Sequence, residues 1–167
     1  MKQLKTLVIA LVLFVGTQMS AQTKVAHIDV QALMTNMPEM KAAQSQLEKI
    51  KENYDKEYKT MVQEYQTKLQ KYEQEAPTAG EAVNEARSKE MQEMGGRIQQ
   101  FQQSVQTDLG KKEMDLLKPI LEKAQKAIQK VAAAKGFNYV LDATNGGGVL
   151  VANGTDLLAD VKKELGF

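Results

Sequence analysis

The sequence predicts a mostly helical α+β protein, a long antiparallel helical hairpin projecting from a small β body. Three observations predict it. Between about Glu39 and Lys135, apolar residues recur at three- and four-residue steps, leaving Lys, Glu and Gln on the other faces. That pattern breaks once, at Ala76-Pro77-Thr78-Ala79-Gly80. Short runs rich in β-branched residues lie before the helical stretch and after it.

The chain opens with Lys2 and Lys5, then the apolar run Leu7 to Val15, then Ser20-Ala21 before Gln22. Nine apolar residues are too few to span a bilayer, and the order basic, apolar, small is that of a secretory signal peptide. Residues 1–21 are therefore expected to be cleaved, and the protein is expected in the periplasm, soluble. Lys24 to Val30 reads as a strand and Gln31 to Met37 as a helical turn. Pro38 suits the first turn of the next helix, and Asn36 with Glu39 imitates a capping box.

The outgoing arm carries Met40, Ala43, Leu47, Ile50, Tyr54 and Tyr58 and continues through Met61, Tyr65, Leu69 and Tyr72. At the break, Pro77 has no N–H to give, and Thr78 with Glu81 has the spacing of a new capping box. The returning stripe runs from Met94, Ile98, Phe101 and Val105 to Leu116, Ile120, Ala124 and Val131. Arms of about 37 residues would reach roughly 55 Å at 1.5 Å per residue, too far to fold back into a globule. Gly95, Gly96 and Pro119 interrupt the return arm and are read as joints, Pro119 marking where a free arm becomes a helix packed on the body. The arm is thus 38–118 with its tip near 76–80, and the body is 22–37 with 119–167.

Lys135-Gly136 ends the helix. Phe137 to Asp142 reads as a strand, Thr144 to Gly148 as a turn and Val149 to Ala152 as the partner strand. Asn153-Gly154 turns again, and Thr155 is placed to cap a last helix from Asp156 to Leu165. Three short strands and few large apolar residues make a thin core, for which oligomerisation is the natural remedy. The body residues expected to build it are Val25, Ile28, Val30, Phe137, Tyr139, Leu141, Val149 and Val151.

Composition narrows the function. The chain has no Cys, so disulfides, thiolate metal sites and a cysteine nucleophile are excluded. Loss of Lys2 and Lys5 leaves 20 of the 22 basic residues against 21 acidic ones, too balanced to attract nucleic acid. His27 and Asp29 lie two apart on a strand, but no nucleophile elbow accompanies them, and a single His cannot build a multi-histidine metal site. Asn145-Gly146-Gly147-Gly148 lacks the lysine of a phosphate loop and does not open a helix. No catalytic residue, metal or cofactor is expected, and the protein is not expected to be an enzyme. The functional candidates are the adaptable side chains of the outer arms, Met61, Tyr65, Tyr72, Met91 and Met94. So narrow a stripe must also close the hairpin, and the larger share of these residues is expected to go to that seam.

Lys24-Val25-Ala26-His27-Ile28-Asp29-Val30-Gln31, the charged hairpin, and Ala132-Ala133-Ala134-Lys135-Gly136-Phe137-Asn138-Tyr139-Val140-Leu141-Asp142 resemble the Skp/OmpH family of periplasmic chaperones. Val149-Leu150-Val151-Ala152 followed by Asp156-Leu157-Leu158-Ala159-Asp160-Val161 resembles that family's ending. The resemblance implies a homotrimer whose pooled strands form the body and whose hairpins enclose unfolded outer-membrane proteins without ATP. It differs in charge. The best-known members are strongly basic, whereas this mature chain is near neutral, so no lipopolysaccharide or membrane-surface site is carried over. Client capture should lean on apolar contact. The competing reading is a periplasmic coiled-coil adaptor docked on one fixed partner.

Overall fold

A computed structural model describes residues 23–167; the expected signal peptide lies outside them. The elements are β1 (Val25–Ile28), α1 (Val30–Asn36), α2 (Pro38–Ala79), α3 (Glu81–Lys135), β2 (Tyr139–Asp142), β3 (Thr155–Asp156) and α4 (Leu158–Leu165). The predicted class is the observed one: two long helices forming a hairpin, and a small sheet at its base.

β1 is the central strand, with β2 on one side and β3 on the other, both parallel to it. Val25 pairs with Tyr139 and Ile28 with Asp142, while Ala26 pairs with Thr155 and His27 with Asp156. The hairpin itself is the crossover from β1 to β2, since a parallel pair needs a long connection. Asp29 ends β1 and starts α1, its carboxylate accepting from the Ala32 N–H at 2.7 Å.

The core lies where α1, α4 and the inner end of α3 close on one face of this sheet. Ile28, Leu33, Met37, Leu157 and Val161 are almost wholly buried, against Ala124, Ala127 and Val131 of α3. The alanines let the neighbouring elements approach closely, so five large side chains suffice to fill the space. Lys130 and Lys135 of α3 pair with Glu164 and Asp160 of α4 across its edge.

Several boundaries differ from the sequence reading. The third strand is Thr155–Asp156 and not Val149–Ala152, which is irregular and leaves Leu150 98% and Val151 72% exposed. Nothing in the isolated subunit offers that segment a strand edge to pair with. Phe137 precedes β2, because Gly136 (φ 73°) terminates α3 in the left-handed region and donates back to Ala132 and Ala133. Thr155 does not cap the last helix. Leu157 is its N-cap position, while Asp156 accepts from the Leu158 N–H at 2.8 Å. Asn36 does not cap α2 either; its amide donates to the Ala32 carbonyl, and Met37 holds the N-cap position without a side-chain bond.

At the tip, α2 continues through Pro77 to Ala79, and the turn is the single residue Gly80, at φ 79° and ψ 162°. Pro77 sits in the final turn and forfeits one intrahelical bond, to the Glu73 carbonyl. Thr78 is not an N-cap: its hydroxyl donates to the Glu75 carbonyl. The Asn84 side chain reaches across to the Ala76 carbonyl at 2.9 Å, tying the two helices at the bend.

α3 is unbroken from Glu81 to Lys135, through Gly95, Gly96 and Pro119. Pro119 is exposed while Ile120 beside it is buried, so the carbonyl freed by the missing N–H faces water. From Ile120 onward α3 belongs to the core of the base.

Candidate functional site

At about 1.5 Å per residue, the 42 residues of α2 extend roughly 63 Å and the 55 of α3 roughly 80 Å. The difference is the part of α3 that packs on the body. Lys123 pairs with Glu39 where the two helices meet above it.

Three kinds of contact hold the arms together. Near the middle, the Tyr54 hydroxyl donates to Asp108, and its ring meets Phe101 edge-on at 6.1 Å. Further out, Met91 and Met94 are buried between the helices, and Tyr65 packs over Gly95, 4.0 Å from where a Cβ would stand. Toward the tip a polar cluster closes the seam. Tyr72 donates to Glu90 at 2.6 Å, Lys68 pairs with the same carboxylate, and Arg87 lies 4.6 Å over the Tyr72 ring while pairing with Glu75. The Lys68 ammonium, and after it the Tyr72 hydroxyl, hold the Glu90 carboxyl below its ordinary range. The same bonds raise the Tyr72 hydroxyl and the Lys68 ammonium, and Asp108 likewise raises Tyr54.

This geometry divides the candidate residues. Met91 and Met94 are enclosed in the seam and meet no client while the arms stay closed, which corrects their placement among the client contacts. Their i, i+3 spacing puts both on the face toward α2, where no larger residue competes for the space. Met61, Tyr65 and Tyr72 are half-buried and present one edge to solvent. Gly95 makes room for a ring, and Gly96 faces open space.

The body candidates also separate. Ile28 is buried in the subunit's own core, and Val30, Phe137 and Val149 are half-buried. Val25, Tyr139, Leu141 and Val151 are exposed, Tyr139 at 61%. Beside them an open groove of roughly 570 Å³ runs between α3 and the sheet, lined by Val30, Leu121, Ile128, Phe137 and Val140. His27 and Asp29 form no pair: the imidazole Nε2 lies 3.2 Å from the Gly154 carbonyl, and Asp29 is occupied in capping α1. Thr144 and Asp142 knit the start of the glycine loop to α1. Asp142 accepts from the Thr144 hydroxyl at 2.6 Å, which is the main cause of its lowered carboxyl pKa.

Sequence reasoning missed two features. The polar cluster at Lys68, Tyr72, Glu90 and Arg87 was hidden because its members lie on different helices, and only the turn position fixes their register. The exposed apolar pair Met114 (68%) and Leu121 (50%) was readable as an i, i+7 pair offset from the buried Leu116–Ile120–Ala124 stripe.

Among the described residues, no helix is long and apolar enough to cross a membrane, and no cluster of His, Asp and Glu suits a metal. Residues 24–165 match the family described as outer membrane protein (OmpH-like). The chaperone protein Skp of Pectobacterium atrosepticum is 25% identical over 157 residues, 94% of each chain. A crystal structure from Caulobacter crescentus, assigned as an OmpH-like outer membrane chaperone, superposes with a TM-score of 0.77. It covers 87% of this chain and 85% of that one at 18% identity, a likeness of fold.

Proposed function

The chain belongs to the OmpH-like outer membrane protein family, and from that premise we propose that it is an ATP-independent holdase chaperone of the periplasm. It shields unfolded outer-membrane proteins from aggregation and hands them on for assembly. The working unit is a homotrimer, with 22–37 and 119–167 as the shared body, 38–118 as the arm, and 1–21 removed on export. No enzymatic step is involved, and neither nucleic acid nor lipopolysaccharide is a partner.

One observation carries the reading. The base of the hairpin exposes apolar groups that a finished domain would cover: Val25, Tyr139, Leu141, Leu150 and Val151, beside an open apolar groove. Further copies supply the cover, and once they do, the arms project side by side around a shared space. Holding by many weak contacts within that space needs neither nucleotide nor chemistry.

The test is the mass of the cleaved chain in sedimentation, together with suppression of aggregation when a urea-denatured outer-membrane barrel is diluted into it. A trimer that keeps the barrel soluble without ATP supports the proposal. A folded single subunit, indifferent to the barrel, ends it.

The unbroken course of α3 and the polar cluster near the tip favour a second reading, a stiff coiled-coil adaptor docked on one partner. Affinity capture from periplasm separates the two. An adaptor recovers one stoichiometric protein, and a holdase a spread of outer-membrane proteins.

A further inference from the structure

The hairpin seam uses one side of α3. The opposite side, facing solvent, carries Gln100, Gln103, Thr107, Met114, Leu121 and Gln125, all exposed. Their steps of three, four and seven keep them on one line along the helix. The charged residues of this segment, Asp108, Lys111, Lys112, Glu113 and Asp115, lie off that line, and Lys118 is the charge that interrupts it. In a chain with 26% charged residues, a solvent-facing line of this length would ordinarily be laced with Lys and Glu. Here it is amide and hydroxyl in the outer part and apolar toward the root, where Met114 and Leu121 are the most exposed apolar side chains of the arm.

We propose that this uncharged line is the track on which the arm holds its client, and that the client lies along it as an extended, uncharged segment of about one membrane strand. The inference rests on the holdase reading and names the surface and the segment chemistry. From Gln100 to Gln125 the track is roughly 37 Å long at 1.5 Å per residue. An extended chain covers that distance in about eleven residues at 3.3 Å each. Barrel strands that cross a membrane have about 9–11 residues, with apolar side chains on alternate positions. Such a strand, unpaired, presents free N–H and C=O groups, and each glutamine amide offers both a donor and an acceptor. Met114 adapts to apolar side chains of differing shape.

Area argues against a second copy of the chain as the occupant. A line one side chain wide over this length covers roughly 400 Å², half of the about 800 Å² per partner of a stable interface. That suits reversible holding, with other arms of the assembly adding contacts of the same kind.

The experiment uses the full cleaved chain. A track variant, Gln103→Glu with Met114→Glu and Leu121→Glu, is compared with a control carrying the same added charge on the exposed face of α2: Gln63→Glu, Gln66→Glu and Gln70→Glu. A milder variant, Met114→Ala with Leu121→Ala, keeps the net charge. The amount of protein needed to keep a denatured outer-membrane barrel soluble is expected to rise about fivefold for the track variant and about twofold for the alanine pair. The control stays at the wild-type value, and helicity and sedimentation mass are unchanged in all three. Full protection by the track variant overturns the inference, as does equal loss in the control. A fall in sedimentation mass confined to the track variants overturns it too, assigning the face to contacts between copies. Failure of the unaltered protein to protect the barrel would sink the holdase reading itself and is scored separately.

Discussion

Two glycines in the same hairpin should respond to the same substitution with opposite sign. Gly80 is the whole of the tip turn, at φ 79° and ψ 162°, a region that residues with a Cβ scarcely enter. A Cβ there would meet no atom within 4 Å, so crowding plays no part and the cost of Gly80→Ala is that of the backbone, about 1–3 kcal/mol. Gly96 also faces open space but lies within α3, where Ala is the better helix former by about 1 kcal/mol. The two variants should therefore differ by about 2–4 kcal/mol. With a urea dependence of roughly 2 kcal/mol per molar, their unfolding midpoints, read by circular dichroism at one protein concentration, should stand about 1–2 M apart. Fraying of the last turn of α2 can absorb part of the strain at Gly80, and hydrogen exchange at 76–84 would register it. Midpoints that move together, or a Gly80→Ala protein as stable as the parent, would refute the backbone argument. The pair also tests the joint: if Gly96 serves as a hinge, Gly96→Ala should lower client protection while raising stability.

Two further outcomes follow from the packing and the charges. Leu157 is wholly buried between the sheet, α3 and α4, so Leu157→Ala should cost about 2–5 kcal/mol, measured as a loss of unfolding midpoint; a cost below about 1 kcal/mol would mean the base is not held by this core. The outer arm should loosen in acid. The Glu90 carboxyl is lowered from 4.5 in the folded arm, so its contribution is complete above that value and is lost as pH falls through the lower folded one. Amide exchange near Tyr72 and Glu90 should accelerate over that range after correction for intrinsic rates, and Glu90→Gln should remove the added acid sensitivity. An unchanged acid response in the variant would place its origin elsewhere.

The hairpin was legible because periodicity reports burial directly: Leu47, Ile50, Tyr54 and Tyr58 on one arm, and Ile98, Phe101 and Val105 on the other, all turn inward. Chain reversal near Gly80 and the helix end at Gly136 were legible for a related reason, since each site needs a residue without a Cβ. The caps were not. Thr78, Asn36 and Thr155 have the right chemistry, but each donates elsewhere or lies off the helix start, because tertiary contacts set where the backbone turns. Val149 to Ala152 has strand composition without a strand in the subunit, since composition reports a preference and pairing requires an edge. The side-chain roles were the least accessible. Met91, Met94 and Met114 are the same residue type within one helix. Only the register against α2 decides that the first two close the seam and the third faces solvent.

That register explains how a chain with so few apolar residues can both stand as a long hairpin and keep surface for other proteins. A seam of one residue per helical turn secures the arms only weakly in any one place, and the Tyr54–Asp108 and Tyr72–Glu90 bonds fix the alignment that a narrow apolar stripe would let slip. Because the seam is confined to one side of each helix, the far side of α3 is under no packing demand. Its composition there is free to answer to something else. Charge would have been the default, for solubility and for i, i+4 pairing, and the segment places its Lys, Asp and Glu to either side of the line through Gln103, Thr107 and Met114. A solvated face that gives up charge over so many turns, next to faces that keep it, is accounted for by a neutral occupant and not by the hairpin alone.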